Sequence, residues 1–224
     1  MTSTNGTTTT TALPIIDLSP YLTPTSPPTA RAATVASLAA ACRDTGFFYL
    51  TNHGIPAATL DGVLGLARRF FLEASAADKA AIARAADGAR GYQQVGENVT
   101  KGRRDWHEAV DLYEEAGGEG ADAVLRGPNR WPRHPAELRE VYEGYIEMVK
   151  GVGTAVVRAM GEALGLEGEE AEVFVRATRR SFWVMRLIGY PELPEGEGRE
   201  EGISCGEHTG MCGPCGWVGG RGLG

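Results

Sequence analysis

The stretch SFWVMRLIGYPELPEGEGREEGISCGEHTG, from Ser181 to Gly210, decides how the rest of the chain is interpreted. It begins with an apolar run that predicts a β-strand, turns at two prolines, crosses a charged loop and reaches His208. Histidine is the commonest protein ligand for metals, and a loop after a strand is a usual place to present one. His208 is therefore a candidate metal ligand.

Composition excludes several classes of protein. The chain has 224 residues, 42% hydrophobic and 23% charged, which suits one large globular domain or two small ones. Its net charge of −7 argues against nucleic-acid binding. No apolar run is long enough to span a membrane, and the N-terminus lacks the features of a secretory signal. The few cysteines form no disulfide framework, so we expect a cytoplasmic protein.

Hydrophobic periodicity predicts the secondary structure. Residues 1–12 are rich in threonine and are expected to be disordered. An edge strand is expected at 13–18, and a strand covered on both faces at 47–50. Residues 88–115 show no clear period and are expected to be irregular. Helices are expected over 30–44, about 60–71, 75–86, 135–164 and 169–178.

The helix at 135–164 is the longest and carries one continuous apolar stripe from Leu138 to Met160. Gly165 is expected to end it, because glycine readily adopts the left-handed conformation that follows a helix. The strand before Tyr190 alternates residues that are mainly apolar on both faces, which is typical of a barrel core.

Four segments, in order, carry a family resemblance. They are Pro14-Ile-Ile-Asp17, GFFYLTNHGI (46–55), the pair Arg90-Gly-Tyr92 and Asp105-Trp-His-Glu108, and MRLIGYP (185–191) with Gly206-Glu-His-Thr209. This series resembles the Fe(II)/2-oxoglutarate-dependent dioxygenases of the isopenicillin-N-synthase-like family. The resemblance implies an α+β protein in which a helical N-terminal region, 13–180, packs on the start of a double-stranded β-helix (jelly-roll) barrel, 181–209. Residues 210–224 form a glycine-rich tail without counterpart in the family.

The length of the barrel departs from the family pattern. A jelly roll of eight strands needs on the order of 80 residues. Only residues 179–224 follow the last predicted helix, and the final fifteen include seven glycines. We expect the barrel to be incomplete and the chain to be truncated at its C-terminus, with uncovered strands that favour self-association.

The resemblance also implies cofactors, Fe(II) and 2-oxoglutarate, and a small organic metabolite as substrate. His208 corresponds to an iron ligand, and Tyr190 to a tyrosine whose hydroxyl helps to hold 2-oxoglutarate. Tyr190 could equally be a strand-end tyrosine with a packed ring and a hydroxyl in water. Gly210 stands where the family has its carboxylate ligand, and no histidine follows His208. No catalytic residue is assigned, and we expect this chain to be inactive because one imidazole cannot replace two histidines and a carboxylate.

Two other metal sites remain open. Halogenating relatives keep the carboxylate position small so that chloride binds iron, but this also requires a second histidine. Alternatively, the chain is a catalytically dead fragment with a zinc-knuckle interaction role, because three cysteines and His208 have a spacing that suits tetrahedral Zn²⁺. The four zinc candidates are Cys205, His208, Cys212 and Cys215.

Three acidic residues are candidates for acid or base catalysis. Asp105, Glu108 and Asp111 lie in the segment without a clear period, close to Arg103 and Arg104. Exposed pairs of this kind contribute little to stability and are common on protein surfaces. We expect these carboxylates to form solvated ion pairs.

Overall fold

A computed structural model describes residues 12–84, 89–100, 102–115, 125, 127–179, 181–192 and 202–203. Within these residues the chain forms six helices and eight short strands, so the predicted α+β class is confirmed. The expectations for residues 1–11 and for the tail at 210–224 lie outside the described residues. None of the described helices is both long and apolar enough to cross a membrane.

Two compact units make up the structure. The first consists of residues 1–55 and 149–180. It contains β1 (Ile15–Asp17), α1 (Ser19–Leu22), α2 (Pro28–Asp44), β2 (Tyr49–Thr51) and α6 (Gly168–Thr178). It also contains the second half of α5 (Leu138–Ala163), which runs through both units. Its core is a cluster of aliphatic and small side chains, including Ile16, Leu18, Leu38, Val156 and Ala159.

The strand predicted at 47–50 is not covered on both faces, so that expectation was wrong. In the described residues β1 and β2 form a parallel sheet of two strands. Phe48 and Leu50 pack against the core, whereas Phe47 is 67% exposed and Tyr49 is 61% exposed. Successive strand residues point to opposite faces, and among the described residues only one face of this sheet packs on a core.

The second unit consists of residues 56–148 and 181–224. Its helices are α3 (Ala57–Glu73), α4 (Ala76–Ala81) and the first half of α5. One antiparallel sheet has the order β3-β6-β7, formed by Gly91–Gln93, Glu108–Tyr113 and Val184–Gly189. A second sheet has the order β4-β5-β8, formed by Val99–Thr100, Arg103–Asp105 and Gly202–Ile203.

The segment at 88–115 was expected to be irregular, and this was wrong because it contributes β3, β4, β5 and β6. The reason is chemical. Strand β6 has the sequence EAVDLY and five of its six residues are buried, including two carboxylates. Buried acidic residues hide the apolar alternation by which a strand is usually recognised.

The observed helices agree with the predicted ones more closely than the strands do. Leu138, Tyr142 and Val156 on the predicted stripe of α5 are buried, and Gly165 follows the helix with a φ of 73°. Helix α4 is shorter than expected and ends at Ala81. Its start is fixed by Ser75, whose Oγ accepts a hydrogen bond from the backbone N–H of Asp78 at 3.1 Å.

Candidate functional site

Strand β6 separates two sets of polar side chains in the second unit. Neighbouring residues of a strand point to opposite faces, so Asp111 and Glu108 lie on different faces of the β3-β6-β7 sheet. The antiparallel register sets Asp111 opposite Arg186 and Glu108 opposite Gly189. Each carboxylate therefore meets a different set of partners.

On one face, Asp111 is held by an arginine and an amide. Arg186 donates from Nε to Oδ1 at 2.5 Å and from Nη2 to Oδ2 at 2.6 Å. Gln93 donates from Nε2 to the same Oδ2. The hydrogen bonds to Asp111 raise the pKa of the Arg186 guanidinium, against the opposite effect of burial. Two parallel bonds to one carboxylate fix the guanidinium plane as well as its charge.

The same polar chain continues toward Tyr190. The Oε1 of Gln93 accepts a hydrogen bond from Asn98 Nδ2 at 2.6 Å. Asn98 Nδ2 also lies 3.4 Å from His107 Nε2. The His107 ring packs edge-on against the Tyr190 ring, with centroids 5.9 Å apart and an interplanar angle of 66°. We call these residues the inner polar chain: Arg186, Asp111, Gln93, Asn98, His107 and Tyr190.

On the opposite face, Glu108 forms a compact cluster with a lysine and a tyrosine. Its Oε2 accepts from Lys79 Nζ at 2.9 Å and from the Tyr92 hydroxyl at 2.6 Å. Lys79 lies over the rings of Phe70 and Tyr92, at 5.9 Å and 5.6 Å from their centroids. Burial, followed by the bond to Glu108, raises the pKa of Tyr92. This cluster connects α4 to the sheet, so we assign it a structural role.

The expectation of solvated ion pairs was therefore wrong for the three acidic residues. Asp105, Glu108 and Asp111 are all buried, and Glu108 and Asp111 pair with Lys79 and Arg186. Both cations are distant in sequence from the carboxylates that they bind, so the adjacent Arg103 and Arg104 suggested the wrong partners.

Asp105 differs from the other two carboxylates. Its Oδ2 accepts from Thr100 Oγ1 at 2.9 Å. Its Oδ1 is buried and has no hydrogen-bond donor in the part of the chain that the structure describes. Asp105 belongs to β5, where its partner in β8 is Ile203. An unpaired buried carboxylate oxygen is costly, so this atom is a candidate acceptor for a ligand.

Of the residues predicted for the site, the structure describes Tyr190. It follows β7 directly and is half-buried beside His107. Its contact with 2-oxoglutarate stays a prediction. His208, Gly210 and the three zinc-candidate cysteines lie outside the described residues. Among the residues that are described, no group of three His, Cys, Asp or Glu side chains could hold a metal ion, so this part alone does not fit an iron centre.

Sequence reasoning did not assign Asn98 and His107 to this neighbourhood. One signal was available for His107. The antiparallel register that pairs Glu108 with Gly189 also sets His107 opposite Tyr190. If β6 had been predicted as a strand paired with β7, the proximity of the His107 and Tyr190 rings could also have been predicted.

A family model described as "non-haem dioxygenase in morphine synthesis N-terminal" matches residues 13–134. The match covers more than half of the chain. It includes β1 and four residues of the inner polar chain, namely Gln93, Asn98, His107 and Asp111. The chain belongs to the non-haem dioxygenase family. The predicted family is thereby confirmed, and three of the four segments that carried the resemblance lie within the matched residues.

Among the relatives of this dioxygenase chain is homoarginine-6-hydroxylase 2-ODD-C23.1 of Arabidopsis thaliana. The two are 41% identical over 208 residues, which cover 88% of this chain and 62% of the relative. The chain thus spans a little over three fifths of the length of this relative. The comparisons do not support the zinc-knuckle alternative.

Two solved structures show the same fold. Full-length Neurospora crassa T7H, in complex with alpha-KG and thymine, matches with a TM-score of 0.72 and 21% identity, over 88% of this chain and 61% of T7H. JOX2, in complex with 2OG, Fe and JA, matches with a TM-score of 0.63 and 26% identity, over 82% of this chain and 49% of JOX2. Family members therefore bind 2-oxoglutarate, iron and small-molecule substrates.

Proposed function

We propose that this chain is part of an Fe(II)- and 2-oxoglutarate-dependent dioxygenase that hydroxylates an amino acid with a guanidinium side chain. The observation that carries the substrate class is the 41% identity over 208 residues to a homoarginine 6-hydroxylase. The more distant structural relatives are solved with other ligands, thymine in T7H and JA in JOX2, at 21% and 26% identity. The higher identity favours the guanidino substrate.

Asp105 supports this assignment chemically. A guanidinium is a planar cation with several N–H donors, and it pairs best with a carboxylate. Asp105 has one carboxylate oxygen without a donor among the described residues and is only 5% exposed. The other two buried carboxylates are already paired with Lys79 and Arg186. Asp105 is therefore the acid that we propose to receive the cationic end of the substrate.

The cofactors follow from the family. Tyr190 is the proposed hydroxyl donor to 2-oxoglutarate, and His107 packs against its ring. His208 is the proposed iron ligand. Gly210 offers no carboxylate at the position where the family has one, so we expect no turnover from the chain as it stands.

A chimera tests the proposal without relying on the metal site of this chain. Residues 13–209 would replace the matching segment of the Arabidopsis hydroxylase, so that the following carboxylate and the rest of the barrel come from the relative. We expect succinate release with homoarginine and little with homocitrulline, its neutral isostere. A folded chimera that leaves homoarginine unchanged while the parent enzyme hydroxylates it would refute the proposal.

A matched pair of variants tests the role of Asp105 in the same chimera. Asp105→Asn should raise the KM for homoarginine by about tenfold or more, because a buried charge-assisted bond is lost. Asp61→Asn removes an exposed carboxylate from α3 and should leave the KM unchanged. Equal KM values for the two variants would exclude Asp105 from substrate binding and leave the reaction class untouched.

A further inference from the structure

A cavity between α4 and the loop before α5 has no role in the proposed reaction. Its volume is about 320 Å³, which is at the small end for ligand pockets. One wall comes from the end of α4 and the residue that follows it, and the other from the segment Arg130-Trp-Pro-Arg133. The lining residues are Asp78, Ala81, Ile82, Arg130, Trp131 and Arg133.

The two arginines of this cavity lack carboxylate partners in the part of the chain that the structure describes. Arg130 donates from Nη1 to the backbone oxygen of Ala83 at 3.1 Å, which fixes its guanidinium near the cavity. Arg133 is exposed, and no ion pair joins it to another described residue. Both guanidinium groups can therefore pair with the carboxylates of a ligand.

The backbone between the two arginines is restrained by Pro132, which follows Trp131. Pro132 is buried, and its ring fixes its own φ and restricts the backbone of Trp131. The side chains of Ala81, Ile82 and Trp131 add an apolar surface to the same cavity. The cavity therefore offers two cationic groups and an apolar wall.

We propose that this cavity binds a short dicarboxylate, with one carboxylate on each arginine and the methylene groups against the apolar wall. Guanidinium groups recognise carboxylates through paired hydrogen bonds, which a single chloride ion cannot satisfy. The site is separate from Tyr190 and from the residues assigned to the reaction. The cavity would bind dicarboxylates, the class that includes 2-oxoglutarate and succinate, and this binding would need no iron.

Replacing Asp78 tests whether removing a negative charge from the cavity strengthens the binding of a dicarboxylate. Its carboxylate lines the cavity and accepts a hydrogen bond from Ser75 Oγ at 2.6 Å. A negative group beside the arginines should weaken the binding of a dianion. Asp78→Asn keeps the backbone N–H that Ser75 caps and removes the charge, so it should strengthen binding by about two- to fivefold.

The experiment is a calorimetric titration of the full chain with succinate in the presence of a metal chelator. Wild type should bind succinate more tightly than acetate or inorganic phosphate. Arg130→Gln and Arg133→Gln should each weaken binding by about tenfold, and the double variant should abolish it. Arg43→Gln is the matched control, because Arg43 is an exposed arginine paired with Asp44 outside this cavity.

Three results would overturn the proposal. They are no succinate binding by the wild type, unchanged binding by the double variant, or equal binding of acetate and succinate, which would indicate an unspecific anion effect. Melting temperatures of the variants confirm that each is folded. Because the titration uses no iron and no amino-acid substrate, its outcome is independent of whether the hydroxylation proposal holds.

Discussion

The ion pair between Arg186 and Asp111 offers the sharpest test of how the second unit is held together. The side chain of Asp111 is 2% exposed and that of Arg186 is 41% exposed. Replacing Arg186 with methionine keeps much of the aliphatic packing and removes the guanidinium. It leaves a buried carboxylate whose remaining described donor is Gln93.

The expected cost follows from the geometry. Breaking a fully buried pair costs about 3–5 kcal/mol, because one charge stays buried without its partner. Water reaches part of Arg186 and screens the pair, so the loss should be smaller, about 2–4 kcal/mol. For a chain of this size the melting temperature should fall by roughly 5–15 °C. Urea denaturation followed by tryptophan fluorescence measures the free energy of unfolding directly.

Two further variants separate the ion pair from nonspecific effects. Arg104→Met removes an exposed arginine from β5 and should change the free energy of unfolding by no more than about 0.5 kcal/mol. Asp111→Asn combined with Arg186→Met removes both charges and should recover at least about 1 kcal/mol of the loss. If Arg186→Met behaves like Arg104→Met, or the double variant is no more stable than the single one, the pair does not stabilise the sheet as argued.

Three other predictions concern separate parts of the chain. Burial raises the pKa of Tyr142, whose hydroxyl donates to the Val63 carbonyl at 2.6 Å. The neutral Tyr142 side chain therefore contributes its full stability below about pH 10, and this contribution is lost as the pH rises through the folded-state pKa. Tyr142→Phe should therefore flatten the alkaline loss of stability by up to about 1.4 kcal/mol per pH unit, and an unchanged slope in urea denaturation above pH 10 would contradict this. Ile15→Thr with Tyr49→Thr removes two exposed apolar side chains that are paired across β1 and β2 and should reduce self-association in gel filtration; an unchanged elution volume would show that this face does not mediate it. Gly210→Asp should tighten ferrous-ion binding by about tenfold in a competition assay, because a carboxylate is one of the three protein ligands of such iron sites; an unchanged affinity would argue against an iron ligand at this position.

The helices could be predicted because their burial repeats along the chain. In α5 the residues Leu138, Tyr142 and Val156 fall on one apolar stripe and are buried. A left-handed glycine after the last turn sets the end of the helix, and Gly165 has that conformation. These are local signals, and each can be read within a window of a few turns.

The inner polar chain could not be predicted in the same way, because its contacts are distant in sequence. Arg186 reaches Asp111 across 75 positions. Residue type alone suggested that Asp111 and its neighbours face water. Only the pairing of β6 with β7 shows that the acid is buried and that its cation comes from the other strand.

The buried acids of β6 also determine how the sheet is registered. Glu108 meets Lys79 on one face, and Asp111 meets Arg186 on the other. A slip of β6 by one residue would turn each side chain to the opposite face. Both carboxylates would then be buried without their cations, at a cost of several kcal/mol each. The charged residues that obscured this strand in the sequence thus disfavour a one-residue slip, and the observed register keeps His107 opposite Tyr190.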